Sequence, residues 1–177
     1  VPETTDSGSA YYVMRQEYTA NGTGGSGHTF TGTLAAAYFI SISVHEISGA
    51  LTASPLDQTA TGADGGGTSH TTASTATTAQ ANELLIGTRT SGGTSTLACG
   101  TGGWTTGTSI GSDAGTTRSG LLSCYRSVTA TGTYAFPWTG TADNQSASGI
   151  STWKEAAAAA GVRQRCVGCG ADGKVIE

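Results

Sequence analysis

The chain has 177 residues and a formal net charge of −4, with only 11% of its residues charged. It carries 28 Gly but only 3 Pro. The length suits one domain with a real core. The scattered ionisable groups argue against an enzyme site, which needs them gathered and held. An acidic balance without a Lys/Arg cluster argues against a nucleic-acid partner. No apolar run reaches the ~18 residues that a membrane-spanning helix needs. The first residue is Val1 and no signal peptide precedes it, so the chain reads as a processed product or part of a longer one. Abundant Thr with little Lys and Glu suggests a surface outside the cytoplasm.

Elements follow in chain order. Ala10–Thr19 (AYYVMRQEYT) predicts an aromatic strand. Gly22–Gly27 predicts a turn, and His28–Leu34 pairs back as a hairpin. Tyr38–Ile47 gives the clearest strand. Tyr38, Ile40, Ile42 and Val44 fall on one face, and Ser41, Ser43 and His45 on the other. That period of two predicts one buried face, the apolar one. Ser48–Gly67 reads as loop, with Pro55 and Asp64-Gly65 as turn signals. Thr68–Thr78 is nearly all Ser, Thr and Ala, either a linker or a polar edge strand.

Asn82–Thr90, a stretch around Trp104, Gly120–Thr129, Thr133–Trp138 and Ser148–Trp153 follow as further strands. About eight short strands separated by turn signals predict an all-β fold, an antiparallel two-sheet β-sandwich of jelly-roll or Ig-like type. The sandwich would occupy residues 1–154. The remaining 155–177 would be a short helix, Glu155–Gln164, and a tail from Arg165 that contains two cysteines. The expected core is Tyr38, Ile40, Ile42, Val44, Leu84, Ile86 and Trp153.

Motifs that could carry chemistry each meet a plainer explanation. Gly107-Thr108-Ser109-Ile110-Gly111 matches the nucleophile-elbow pattern, but the residues after it do not read as a helix. Gly22–Gly27 matches a dinucleotide fingerprint, but strand-like residues follow it. His45-Glu46 would point to opposite faces of a strand, and His28, His45 and His70 read as surface or edge residues. Asp57, Asp64, Asp113 and Asp143 lie in expected loops, where turn chemistry explains them more simply than calcium. No catalytic, cofactor or metal residue is nominated. Asn21-Gly22-Thr23 and Asn144-Gln145-Ser146 are glycosylation sequons if the source glycosylates.

Two groups remain. Trp104 and Trp138 could form a stacking platform for a glycan, against the plainer expectation that tryptophans close the core. Cys99, Cys124, Cys166 and Cys169 could form two disulfides in an oxidising compartment, the rival being four free thiols. A Cys99–Cys124 bridge would contribute roughly 3 kcal/mol. A lone C-x-x-C is weak evidence for zinc.

The order AYFISISVHEISGALTASPLDQTA, TTAQANELLIGT, GWTTGTS and YRSVTATGTYAFPWTGTADNQSASGISTWK resembles a recurrent β-sandwich module of phage virion proteins and bacterial surface proteins. Its marks are Glu46–Gly49, Ser54–Asp57, Asn82–Gly87 and Ser127–Tyr134, and the likeness spans roughly 11–154. It implies a virion-surface or extracellular decoration, fibre or filament protein whose partners are its own copies or a capsid protein. It also implies strands before Tyr11, and a sheet edge left open without them. The tail lies beyond the likeness; on the structural-protein reading Arg165, Cys166, Cys169, Lys174, Val175 and Ile176 would dock on a neighbour. The alternative reading is a secreted or surface carbohydrate-binding or adhesion module.

Overall fold

The computed structural model describes residues 3–4, 14–33, 40–63, 68–92, 96–110, 119–140, 146–156 and 164–167. Twelve strands lie within them: β1 (Glu3–Thr4), β2 (Met14–Arg15), β3 (Val44–Ile47), β4 (Leu56–Ala63), β5 (Ser69–Thr71), β6 (Asn82–Gly92), β7 (Leu97–Cys99), β8 (Thr105–Ile110), β9 (Ser119–Thr129), β10 (Pro137–Gly140), β11 (Ser146–Lys154) and β12 (Gln164–Val167). The all-β expectation holds. A five-stranded sheet in the order β4-β11-β6-β9-β8 packs against a three-stranded sheet in the order β5-β10-β7. Every pairing is antiparallel, and β4 joins β11, β5 joins β10 and β6 joins β9. This nesting of first with last is a jelly roll, one of the two topologies expected. All eight strands of the roll lie within 56–154, with β8 on the edge of the large sheet beside β9.

The inner core forms between the sheets. Leu85, Leu122, Cys124, Val128 and Ile150 from the large sheet meet Leu97, Phe136 and Trp138. Gly87 sits mid-strand because a Cβ there would lie 2.2 Å from Phe136 Cγ, inside the ring. The strand gives up a side chain and gains a seat for an aromatic. Cys99 of β7 is bonded to Cys124 of β9, tying one sheet to the other with a Cα–Cα distance of 6.1 Å.

The Thr68–Thr78 stretch, expected to be a linker or a polar edge strand, is a polar edge strand over β5 alone. After β5 it runs as a threonine seam. Thr72, Thr75 and Thr78 are buried, while Ala73, Ser74, Ala76 and Thr77 between them are exposed. Each buried Thr donates its backbone N–H to an alternate carbonyl of the facing segment: Phe136, Tyr134 and Gly132. Each also accepts, on its hydroxyl, the N–H of that same residue, at 2.9, 3.1 and 3.2 Å. A period of three thus docks on a period of two, and the backbone of a strand-free segment is satisfied.

The other face of the large sheet is covered too. Leu84, Ile86 and Trp153 form a second cluster beneath Tyr18 and Ile47. Tyr18 meets the Trp153 ring edge-on at 5.0 Å and 82°. Two small two-stranded sheets, β1-β2 and β12-β3, belong to this outer side. β11 is consequently buried from Ser146 through Trp153, with no alternation.

Several expectations change. Of the expected 10–34 hairpin, Met14–Arg15 is strand and pairs with β1, residues 16–33 form no strand and are mostly exposed, and 10–13 and 34 lie outside the described residues. β3 turns its polar side to the sheet: Ser43 and His45 bond to it and Ile47 packs on it. Ile40 and Ile42 instead rest on Gly32, half-buried like Val44. Two polar links to the sheet's outer surface, Ser43 to Thr108 and His45 to Ser123, decide this, against the apolar pattern. Tyr38 lies outside the described residues. The expected 48–67 loop contains β4, and Asp57 is in that strand. The helix expected over Glu155–Gln164 begins at a residue bridged to Ala50 and ends at the first residue of β12, and 157–163 lie outside the described residues.

The Gly87→Ala change inserts a methyl into the Phe136 ring. It is expected to cost about 1–3 kcal/mol or more. A urea midpoint unchanged from wild type would show that the ring is not seated there.

Candidate functional site

Trp138, offered as a stacking platform, is fully buried. Its ring touches Phe136 at 5.5 Å and stacks on His70 at 5.7 Å, and the Arg89 guanidinium lies 5.5 Å from its centroid. It cannot present a face to a sugar. Arg89 is itself fully buried, an unusual place for a guanidinium, and the Trp138 face supplies cation–π stabilisation. Trp104 differs. It is half-buried beside the Thr101–Gly103 turn, leaning on Phe136 at 5.0 Å. Arg126 borders that turn and lies 6.0 Å over the Tyr134 ring. Tyr134 donates its hydroxyl to the Ala130 carbonyl. Trp104, Arg126 and Tyr134 are therefore gathered at one end of the roll.

A second group lies where β4, β11 and β6 meet. Glu83 of β6 is 2% exposed and points into the space between the sheets. Burial, with the neighbouring Asp57 carboxyl adding to it, pushes its pKa up to about 7, against the pull of the Thr152 hydroxyl. Asp57 accepts the Ala79 N–H at 2.6 Å. Glu83 and Arg89 share a face of β6 but stand six positions apart, roughly 20 Å, so they do not pair. Charge in this core is handled locally, by a raised carboxyl pKa at one end and an aromatic stack at the other.

A third group joins the outer layer to the sheet. His45 Nε2 and Ser123 Oγ lie 2.6 Å apart, and Ser43 donates to Thr108 Oγ1 at 3.2 Å. Gln16 donates to Thr88 at 3.1 Å. A Ser–His contact is the arrangement of an activated nucleophile. Here Ser123 is fully buried under β3, out of reach of a substrate carbonyl. His45, read as a surface or edge residue, is an inward link, while Glu46 is exposed as strand alternation requires.

The remaining motif residues resolve simply. Ser109 lies within β8, not at a strand-to-helix elbow, and donates to the Leu97 carbonyl at 3.5 Å. The Gly22–Gly27 run is exposed coil with no helix after it. Of the disulfide candidates, Cys99 and Cys124 are paired. Arg165 and Cys166 lie in β12, in register with Glu46 and His45 of the same chain, while Cys169, Lys174, Val175 and Ile176 lie outside the described residues. Asp64, Asp113 and Asp143 lie outside them too. Among the described residues no cluster of three or more His, Cys, Asp or Glu could hold a metal, and no helix is long and apolar enough to cross a membrane. Glu83 and Arg89 went unremarked in the sequence, and their only signal was charge inside an apolar strand, NELLIGTR.

Compared with protein-family models, curated proteins and solved structures, the chain matches none.

Glu83 predicts how stability varies with pH. Its folded pKa lies above its ordinary 4.5, so its contribution is fully present below that value and is lost as pH rises through about 7. Thermal melts of wild type between about pH 5 and pH 8.5 should show this decline, and Glu83→Gln should flatten it. Equal slopes in the two proteins would mean that Glu83 ionises freely.

Proposed function

We propose that this chain is a non-enzymatic structural subunit of a virion or extracellular assembly, such as a capsid decoration, fibre or filament protein. One observation carries the reading: the buried polar side chains bind one layer to another. The Ser43, His45 and Gln16 links and the inter-sheet disulfide tie layer to layer, and the threonine seam extends the β5–β10 pairing. The disulfide fits an oxidising compartment. The jelly roll is shared by capsid and lectin domains, which supports the reading by analogy of fold. Subunits would meet through the segments outside the roll, the β1-β2 and β12-β3 pairs and the tail that follows. The partners would be further copies of the chain or a neighbouring structural protein such as a capsid protein.

Deleting Arg165–Glu177 is then expected to abolish assembly while leaving the roll folded. Light scattering after gel filtration, with negative-stain images of the same fractions, reads the outcome. Trimers, rings or filaments from wild type and monomers from the truncated protein are the expected result. A wild-type monomer with and without reductant would overturn it.

A second reading, a glycan-binding or adhesion module, keeps one specific support: Trp104 is half-exposed beside Arg126 and Tyr134. On that reading Trp104→Ala abolishes retention on a glycan array. Trp138→Ala is instead expected to act on the fold, costing about 3–5 kcal/mol. A Trp138→Ala protein that melts like wild type would contradict the burial of that ring.

A further inference from the structure

β3 is held to the large sheet by an unusual set of contacts for a strand over an apolar cluster. Of the three sheet-facing residues in β3 and just before it, Ser43, His45 and Ile47, only the last is apolar. His45 is the central one and the only one that titrates near neutrality. Its Nε2 lies 2.6 Å from Ser123 Oγ, and Ser123 is fully buried. Gly107 opposite has no side chain, and a Cβ there would come within 3.2 Å of His45 Cε1. The sheet thus leaves room for an imidazole on its outer face. Among the described residues β12 pairs with β3 alone, so whatever moves β3 moves β12 as well.

The surroundings suit a neutral ring. Toward His45, β8 presents Gly107 and Thr108, and β9 presents Ser123 and Tyr125, whose ring lies beside Gly107. These are hydroxyls, joined by Ser43 Oγ at 3.3 Å from His45 Nε2, with Tyr125 the one titratable side chain on β8 and β9, while Cys166 of β12 stands in register with His45. On β3 itself Glu46 faces away to solvent, and in register it meets Arg165 of β12. Arg15 and Glu17 of the N-terminal segment pair with each other at 2.6 Å. Burial holds the imidazole below its usual range. When neutral with its proton on Nδ1, His45 accepts the Ser123 hydroxyl proton at Nε2. A second proton turns Nε2 into a donor, forces Ser123 to redirect its hydroxyl inside the sheet, and leaves a cation where water is scarce.

We propose that His45 is a proton-operated clasp: its protonation releases β3, with β12 attached, from the outer face of the large sheet. The released state uncovers the Leu84, Ile86 and Trp153 cluster that Ile47 caps, while the roll beneath, with its own core and disulfide, stays folded. The inference does not depend on the chain being an assembly subunit.

The sign follows from linkage. The closed state binds the proton more weakly than the open one, so acid favours opening. The opening constant rises by up to tenfold per pH unit between the ordinary imidazole value and the lower one of the closed state. The test is an NMR titration of the oxidised full chain, following the His45 ring together with the amides of β3, β12 and β6. The ring is expected to titrate below about 6.5, the ordinary histidine value. The β3 and β12 amides should lose protection with the same midpoint, and the β6 amides should keep theirs. In His45→Gln, which keeps a hydrogen-bonding side chain but cannot titrate, β3 should stay closed over the same range. Three results would overturn the proposal: a His45 midpoint at or above the ordinary value, protonation with the β3 amides unmoved, or opening of His45→Gln at the wild-type midpoint. The first two are read on wild type alone, so they stand even if the variant does not fold.

Discussion

The centre of the large sheet is buried on both faces, and most of the architecture follows from that constraint. A sheet with one wet face can leave polar side chains in water. β11 cannot, because every residue from Ser146 to Trp153 is covered. Its composition, SASGISTW, is the answer: small side chains that fit between layers, and hydroxyls with a partner close by. Ser151 shows the economy, accepting the Trp153 indole N–H at 2.9 Å and donating to the Ile86 carbonyl at 3.5 Å. Thr152, on the opposite face, accepts the Gln58 N–H at 3.1 Å.

The two coverings differ in kind. On the inner side the three-stranded sheet supplies large rings, and the fit is steric, with Phe136 filling the space left by Gly87. The disulfide then ties the two sheets together, and the threonine seam extends the β5–β10 pairing beyond its strands. On the outer side the cover is thin, and hydrogen bonds from Gln16, Ser43 and His45 accompany a few apolar contacts. Steric fit is indifferent to protons, whereas a histidine link is not. The inner layer is therefore held chiefly by steric fit and a disulfide, and the outer layer chiefly by hydrogen bonds.

The fold class was legible because turn signals and β-branched strands recur at short intervals, and β6, β9 and β11 fall where the pattern places them. The Cys99–Cys124 pair was one of two readings the sequence offered, four free thiols being the other, because spacing alone does not show which strands face each other. The outer layer was not. Ile40, Ile42 and Val44 alternate cleanly with polar residues, yet the polar side faces the sheet, because pattern records which residues are apolar and not which surface awaits them. β4 was hidden by turn-forming residues in LDQTATGA, which β11 nonetheless pairs along its length. Thr72, Thr75 and Thr78 carry a period that belongs to neither helix nor strand, so no standard template finds them. Of the candidate site residues, Trp104 stands where a ligand could reach it, and Trp138 is placed inside by three neighbours that are distant in sequence or hidden by its own Pro.

Native-state hydrogen exchange under increasing denaturant tests the central claim most directly, because it ranks each strand by the opening that exposes it. With both faces covered, the amides of β6, β9 and β11 should exchange only through global unfolding, and those of β2 and β3 through a smaller opening at lower free energy. Exchange of β11 amides through local opening, no better protected than β3, would contradict the account.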